Sequence, residues 1–151
     1  MKFSNREDIE APIERVFAEI TNYDRFELLV QERGAKIIRR TGSSGRPIGW
    51  DAEIKLRGKP RQIDIDIQKI EAPQTVHIVA SGKSLNALLS FELISLSKKY
   101  TRILTALELK PASLNGRLFL QTLRLSKPRL TQGFKKQLGN FAREIEHSLH
   151  P

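Results

Sequence analysis

Apolar residues recur along this chain with two different periods, and the changes of period mark out the elements. Lys2 to Ile9 follows the two-residue period of a strand, with Phe3, Asn5, Glu7 and Ile9 on one face. Pro12 then opens a helix where its missing N–H costs least. Ile13, Val16, Phe17 and Ile20 form its apolar stripe at i, i+3, i+4 and i+7. A second short helix carries Phe26, Leu28, Leu29 and Val30. Asp24 and Glu27 give it a capping-box start, and Gly34 stops it.

From Ala35 the period is two. Lys36–Thr41 reads as a strand, followed by a turn over residues 42–47. Gly49–Arg57 places Trp50, Ala52, Ile54 and Leu56 on one face and charges on the other. Gln62–Gln68 does the same with Ile63, Ile65 and Ile67. Thr75–Ser81 forms a further strand. Asn86–Ser97 and Thr101–Lys110 form the last hairpin around Lys98, Lys99 and Tyr100. If Glu92 and Glu108 face water, then Ala87, Leu89, Phe91, Leu93, Ile103, Thr105, Leu107 and Leu109 face inward. Pairing Ser97 with Thr101 sets Ile94 opposite Leu104 on the outer face, an apolar patch that reads as a homodimer contact. The C-terminal region returns to the helical period. Phe119, Leu123, Leu130, Phe134, Leu138, Phe141, Ile145 and Leu149 share a face, and Pro128 predicts a kink. Gly133 and Gly139 in that region suggest close packing or local give.

The architecture implied is α+β: a curved antiparallel sheet of six to seven strands, two short helices after the first strand, and a long C-terminal helix across the concave face. A chain of 151 residues has room for one such domain, 1–151, with a core that needs no disulfide staple. Cysteine is absent, which removes disulfides, thiolate metal sites and cysteine nucleophiles. No apolar run reaches the ~18 residues of a membrane span. Met1–Glu10 lacks the apolar stretch of a signal peptide, so a cytoplasmic location is expected.

The net charge of +9 is unevenly spread. Residues 1–30 hold seven acids and four bases, whereas residues 110–143 hold eight bases and no acid. A surface of this kind suits an anionic membrane, an acidic ligand or nucleic acid. The chain has no aromatic-rich stacking strand, which argues against nucleic acid.

The opening DIEAPIERVFAEITNYDRFELL, residues 8–29, resembles the START-like (SRPBCC) superfamily of polyketide cyclase/dehydratase-related proteins, which share the helix-grip fold. Ala11, Pro12, Val16, Phe17 and Asp24 carry the likeness; many members place a Trp where this chain has Leu28 and Leu29. The resemblance implies a cavity between sheet and C-terminal helix that holds a hydrophobic or amphipathic small molecule. Strand parity names Trp50, Ile54, Ile65, Phe91, Leu107, Phe119 and Leu123 as candidate lining residues, and ordinary core packing is the competing role of each. Trp50 is the single Trp, and its N–H needs a partner if buried. Asn5, Glu7 and Thr105 are the polar groups at inward positions, and of these Glu7 and Thr105 are the candidate ligand contacts. A buried Glu7 would be a functional-site candidate.

Catalytic signals are sparse. His77 faces outward by parity, while His147 and His150 lie at the end of the chain. No metal-ligand spacing, phosphate loop or nucleophile elbow is present, so no metal, no cofactor and no catalytic residue is assigned. Three classes follow: a carrier of an apolar small molecule, a cyclase- or dehydratase-like enzyme in the same cavity, or a binder of an anionic surface through the basic helix.

Overall fold

The computed structural model describes residues 1–56 and 58–150. Seven antiparallel strands form one sheet: β1 (Lys2–Ile9), β2 (Lys36–Thr41), β3 (Pro47–Leu56), β4 (Lys59–Glu71), β5 (Thr75–Ser81), β6 (Leu85–Ser95) and β7 (Thr101–Pro111). Their order across the sheet is β1-β7-β6-β5-β4-β3-β2, so every neighbour but β1 follows in sequence. Helices α1 (Ile13–Ile20) and α2 (Tyr23–Glu32) follow β1, and α3 (Leu114–Arg124) and α4 (Lys127–Leu149) close the chain. The proposed end of the third strand at Arg57 lies outside the described residues.

Cross-strand registers settle the faces. Phe3, Asn5, Glu7 and Ile9 lie opposite Leu107, Thr105, Ile103 and Thr101, and these lie opposite Leu89, Phe91, Leu93 and Ser95. The inward set therefore agrees with the parity argument. At one end of the concave face, Ile9, Val16, Leu93, Ile103, Ala142 and Ile145 pack into a core that α1 and α4 seal. Thr101 closes this end by donating its hydroxyl to the Ala11 carbonyl at 2.8 Å.

Four details differ from the sequence reading. The long C-terminal helix is two helices broken at Leu125–Ser126, and Pro128 sits in the first turn of α4. A proline lacks only an N–H that the first turn does not use, so starting a helix there is easier than kinking one. The α2 cap is Asn22, whose side chain accepts from the Arg25 N–H at 3.1 Å, while Asp24 pairs with Arg39. The β6–β7 turn is longer than expected, spanning residues 96–100 and not 98–100, because the Ser97 hydroxyl accepts from Lys99 N and Tyr100 N and Ser95 pairs with Thr101. This shifts the register, so Ile94 lies opposite Arg102 and Leu104 opposite Glu92. The outer patch proposed for a dimer is thereby interrupted by charge. Finally, Gly133 has open space where a Cβ would stand, so close packing is not its role, whereas Gly139 faces Glu7.

Gly34 and Gly116 are among the glycines that geometry requires. Gly34 follows α2 with φ +87°, the left-handed conformation that ends a helix at least cost. Gly116 lies in the first turn of α3, where a Cβ would collide with the Ser84 carbonyl in the β5–β6 turn. That contact pins α3 to the end of the sheet, together with the Ala112 N–H bond to the same carbonyl at 2.8 Å.

Candidate functional site

The concave face divides into a sealed end and an open half. Ile54 on β3, Ile63, Ile65 and Ile67 on β4, Ile78 on β5, Leu89 on β6 and Leu107 on β7 all point to the concave side but remain half-buried. Phe119 and Leu123 on α3 and Phe134 on α4 are half-buried as well. Side chains of the same kind in the sealed core are at most 6% exposed. Apolar surface on the inner face of the sheet thus stays accessible in this half.

Most of the predicted lining residues belong to this half. Ile54, Ile65, Leu107, Phe119 and Leu123 keep accessible surface, and Phe91 lies at the boundary, where it packs against the sealed core. Trp50 does not share that exposure. It is 0% exposed, with Tyr23 packed edge-on at 5.4 Å between ring centres and Phe26 at 5.0 Å. Its Nε1–H donates to Glu27 Oε2 at 2.7 Å, and Arg39 Nε donates to the same oxygen at 2.6 Å. Arg39 also reaches Asp24 at 2.7 Å. The Arg39 hydrogen bond holds the Glu27 carboxyl below its ordinary value; burial opposes this and the Trp50 bond assists it. Burial raises the Tyr23 phenol, against the pull of Arg39. Trp50 is therefore the anchor that docks α2, a helix with no fully buried residue of its own, on the β2–β3 corner. The need of its N–H for a partner was readable; the identity of that partner was not, because Arg39 and Glu27 meet only when β2 and α2 pack.

The polar inward residues gather at the β1–β7 edge under α4. Thr105 is 3% exposed and its hydroxyl has no hydrogen-bond partner among the described residues. Asn5 lies opposite it on β1, and Phe91 on β6. Glu7 is partly exposed and accepts from Arg143 Nη2 at 3.1 Å, with Gly139 of α4 facing its carboxylate. No sequence signal pairs Glu7 with a residue so far along the chain. His77 faces outward, as expected, and its Nε2 meets Glu92 Oε1 at 3.0 Å. Among the described residues no group of three or more His, Asp or Glu side chains could hold a metal ion. Two surface depressions lie outside the concave space. One of about 630 Å³ runs along the end of α4 beside Glu10 and His147, and one of about 510 Å³ crosses the outer face over Ser4, Ser90 and Ala106.

No protein-family model matches the chain, and no curated protein matches it. Solved structures do. An aromatase/cyclase from Streptomyces sp. R1128 aligns with a TM-score of 0.69 and 8% identity over 99% of this chain and 95% of that one. Norcoclaurine synthase from Thalictrum flavum aligns at 0.61 and 11% over 99% and 86%. A START superfamily protein from Mycobacterium smegmatis aligns at 0.56 and 16% over 91% and 98%. The chain has the START-like, helix-grip fold. Identities this low carry the fold and not the chemistry of any one neighbour. In this helix-grip chain the last part of α4 serves the sealed core, and α3 packs beside β7.

Proposed function

We propose that this helix-grip chain binds a hydrophobic or amphipathic small molecule against the open half of its concave sheet. The contrast between half-buried Ile54, Ile65, Leu89 and Leu107 and the sealed Ile103 and Leu93 on the same face carries the reading. A ligand that covers the open half gains the apolar burial that the folded chain leaves unused, at about 25 cal/mol per Å². The unpartnered Thr105 hydroxyl favours a ligand with at least one polar atom, since a buried hydroxyl without a partner costs about 1–3 kcal/mol. Glu7, paired with Arg143, would border that polar atom.

The reading is tested by native mass spectrometry of the chain purified from cells, beside Leu107→Trp, which fills the open half. A small molecule retained by the wild type and lost from a folded Leu107→Trp variant is the expected result. Equal occupancy of both, or a bare wild type that apolar compounds do not stabilise thermally, contradicts it. Turnover of a retained molecule would mark the cyclase-like alternative in the same space.

A further inference from the structure

One end of the sheet is basic. β3 ends at Leu56, β4 begins at Lys59, β5 ends at Ser81, β6 begins at Leu85 and β7 ends at Pro111, all at one end. Lys55, Lys59, Arg61, Lys83 and Lys110 are exposed there. Gly116 against Ser84 fixes the start of α3 to the same end. The α3–α4 elbow adds Arg117, Arg124, Lys127 and Arg129, all exposed. Of these nine bases only Lys110 has an ion pair among the described residues, with Glu108 at 3.4 Å. The opposite end mixes Asp8, Glu10, Glu71, Glu92, Glu144 and Glu146 with Lys69, Lys98, Lys99, Arg102 and Arg143, several of them ion-paired.

Exposed leucines stand among the bases. Leu114 is 70% exposed, Leu118 53% and Leu125 86%. Their spacing of four and seven puts them on one ridge of α3 and its end, opposite the inward Leu120 and Leu123. Leu56 and Leu130 are exposed at the same end. α3 is thus apolar on two sides, and its own sheet covers only one.

We infer that the α3–α4 elbow is a docking surface for an anionic lipid bilayer, with Leu114, Leu118 and Leu125 entering the headgroup region and the unpaired bases meeting lipid phosphates and carboxylates. Charge complementarity and leucines together favour this occupant, because each serves a different layer of the same interface. A nucleic acid would use the bases but not the leucines. The one aromatic side chain among the exposed large apolar residues, Tyr100, lies in the β6–β7 turn at the opposite end. The inference holds whether or not the concave face binds a ligand.

The test is co-sedimentation of the full chain with vesicles of equal parts phosphatidylcholine and phosphatidylserine, beside vesicles of phosphatidylcholine alone. Binding to the first and not the second is expected, with loss at high salt. Replacing Arg117, Arg124, Lys127 and Arg129 by Gln should weaken it about fivefold per charge. Replacing Leu114, Leu118 and Leu125 by Ser should weaken it about tenfold overall with no change of charge. Lys98→Gln with Lys99→Gln, at the opposite end, should leave it nearly unchanged. Leu118→Trp reports insertion separately, by a blue shift on anionic vesicles against the fully buried Trp50 background. The proposal is overturned if anionic vesicles fail to bind at low salt. Equal binding by the leucine variant, or a loss in the Lys98/Lys99 variant as large per charge as at the elbow, also overturns it. So does single-stranded RNA binding more tightly than vesicles and ignoring the leucine substitutions.

Discussion

The two halves of the concave face are built from the same residue types and end in different states. At the β1–β7 end, Ile9, Ile103 and Leu93 are sealed by α1 and the last turns of α4, with Ala142 letting the helix approach closely. Toward β3 and β4, isoleucines of identical chemistry stay half-exposed, because α2 stands on Trp50 at the corner and α3 rides near β7. Hydrophobicity therefore does not separate core from candidate site in this molecule. What separates them is whether a helix reaches that part of the sheet. The sealed end provides stability, and the open half leaves apolar surface uncovered.

Substitutions should expose the difference. Ile103→Ala, at the sealed end, is expected to cost about 2–5 kcal/mol in denaturant unfolding, whereas Leu107→Ala two residues along should cost well under half as much. Equal losses would mean that both halves are packed alike. Gly116→Ala should cost about 1–3 kcal/mol, since both colliding groups are backbone and α3 must shift. A shift of α3 would also alter the open half, so ligand retention should change more than in Ile103→Ala.

The corner cluster gives a pH-dependent effect. Trp50→Phe leaves Glu27 with one donor fewer and a small gap where the indole packed, and about 1–3 kcal/mol is expected. The Glu27 carboxyl titrates below its ordinary value of 4.5 in the folded chain. The stability from this contact is therefore fully present above pH 4.5 and is lost as the pH falls through the depressed value. Glu27→Gln should be less stable at neutral pH and should lose less than the wild type on acidification, measured by urea unfolding across the acid range. Last and smallest, Leu118→Ser on the exposed ridge should change stability by no more than about 0.5 kcal/mol.

Much of this was legible in the sequence. Strand faces followed from the two-residue period, since one acidic residue such as Glu92 or Glu108 fixes the parity of a whole strand. Lys36–Thr41 and Thr75–Ser81 have the expected bounds. The β6–β7 register was missed by two residues, because it hangs on where the Ser97 hydroxyl bonds, which composition does not specify. The open half was legible only as a list of inward residues. Parity says which way Ile65 or Leu107 points, but how far a helix reaches over it depends on three-dimensional packing. Trp50 illustrates the same limit: its face was readable, whereas its burial under Tyr23 and Phe26 is set by the docking of α2.

The most direct test of the open half is calorimetric titration with anilinonaphthalene sulfonate, an apolar ring system with one anionic group. The wild type should bind it saturably at one site with a negative heat-capacity change, the mark of apolar burial. Leu107→Trp should abolish this while Ile94→Ser, on the outer face, should leave it intact. Binding that is absent from the wild type, or that survives Leu107→Trp and falls with Ile94→Ser, would contradict the account.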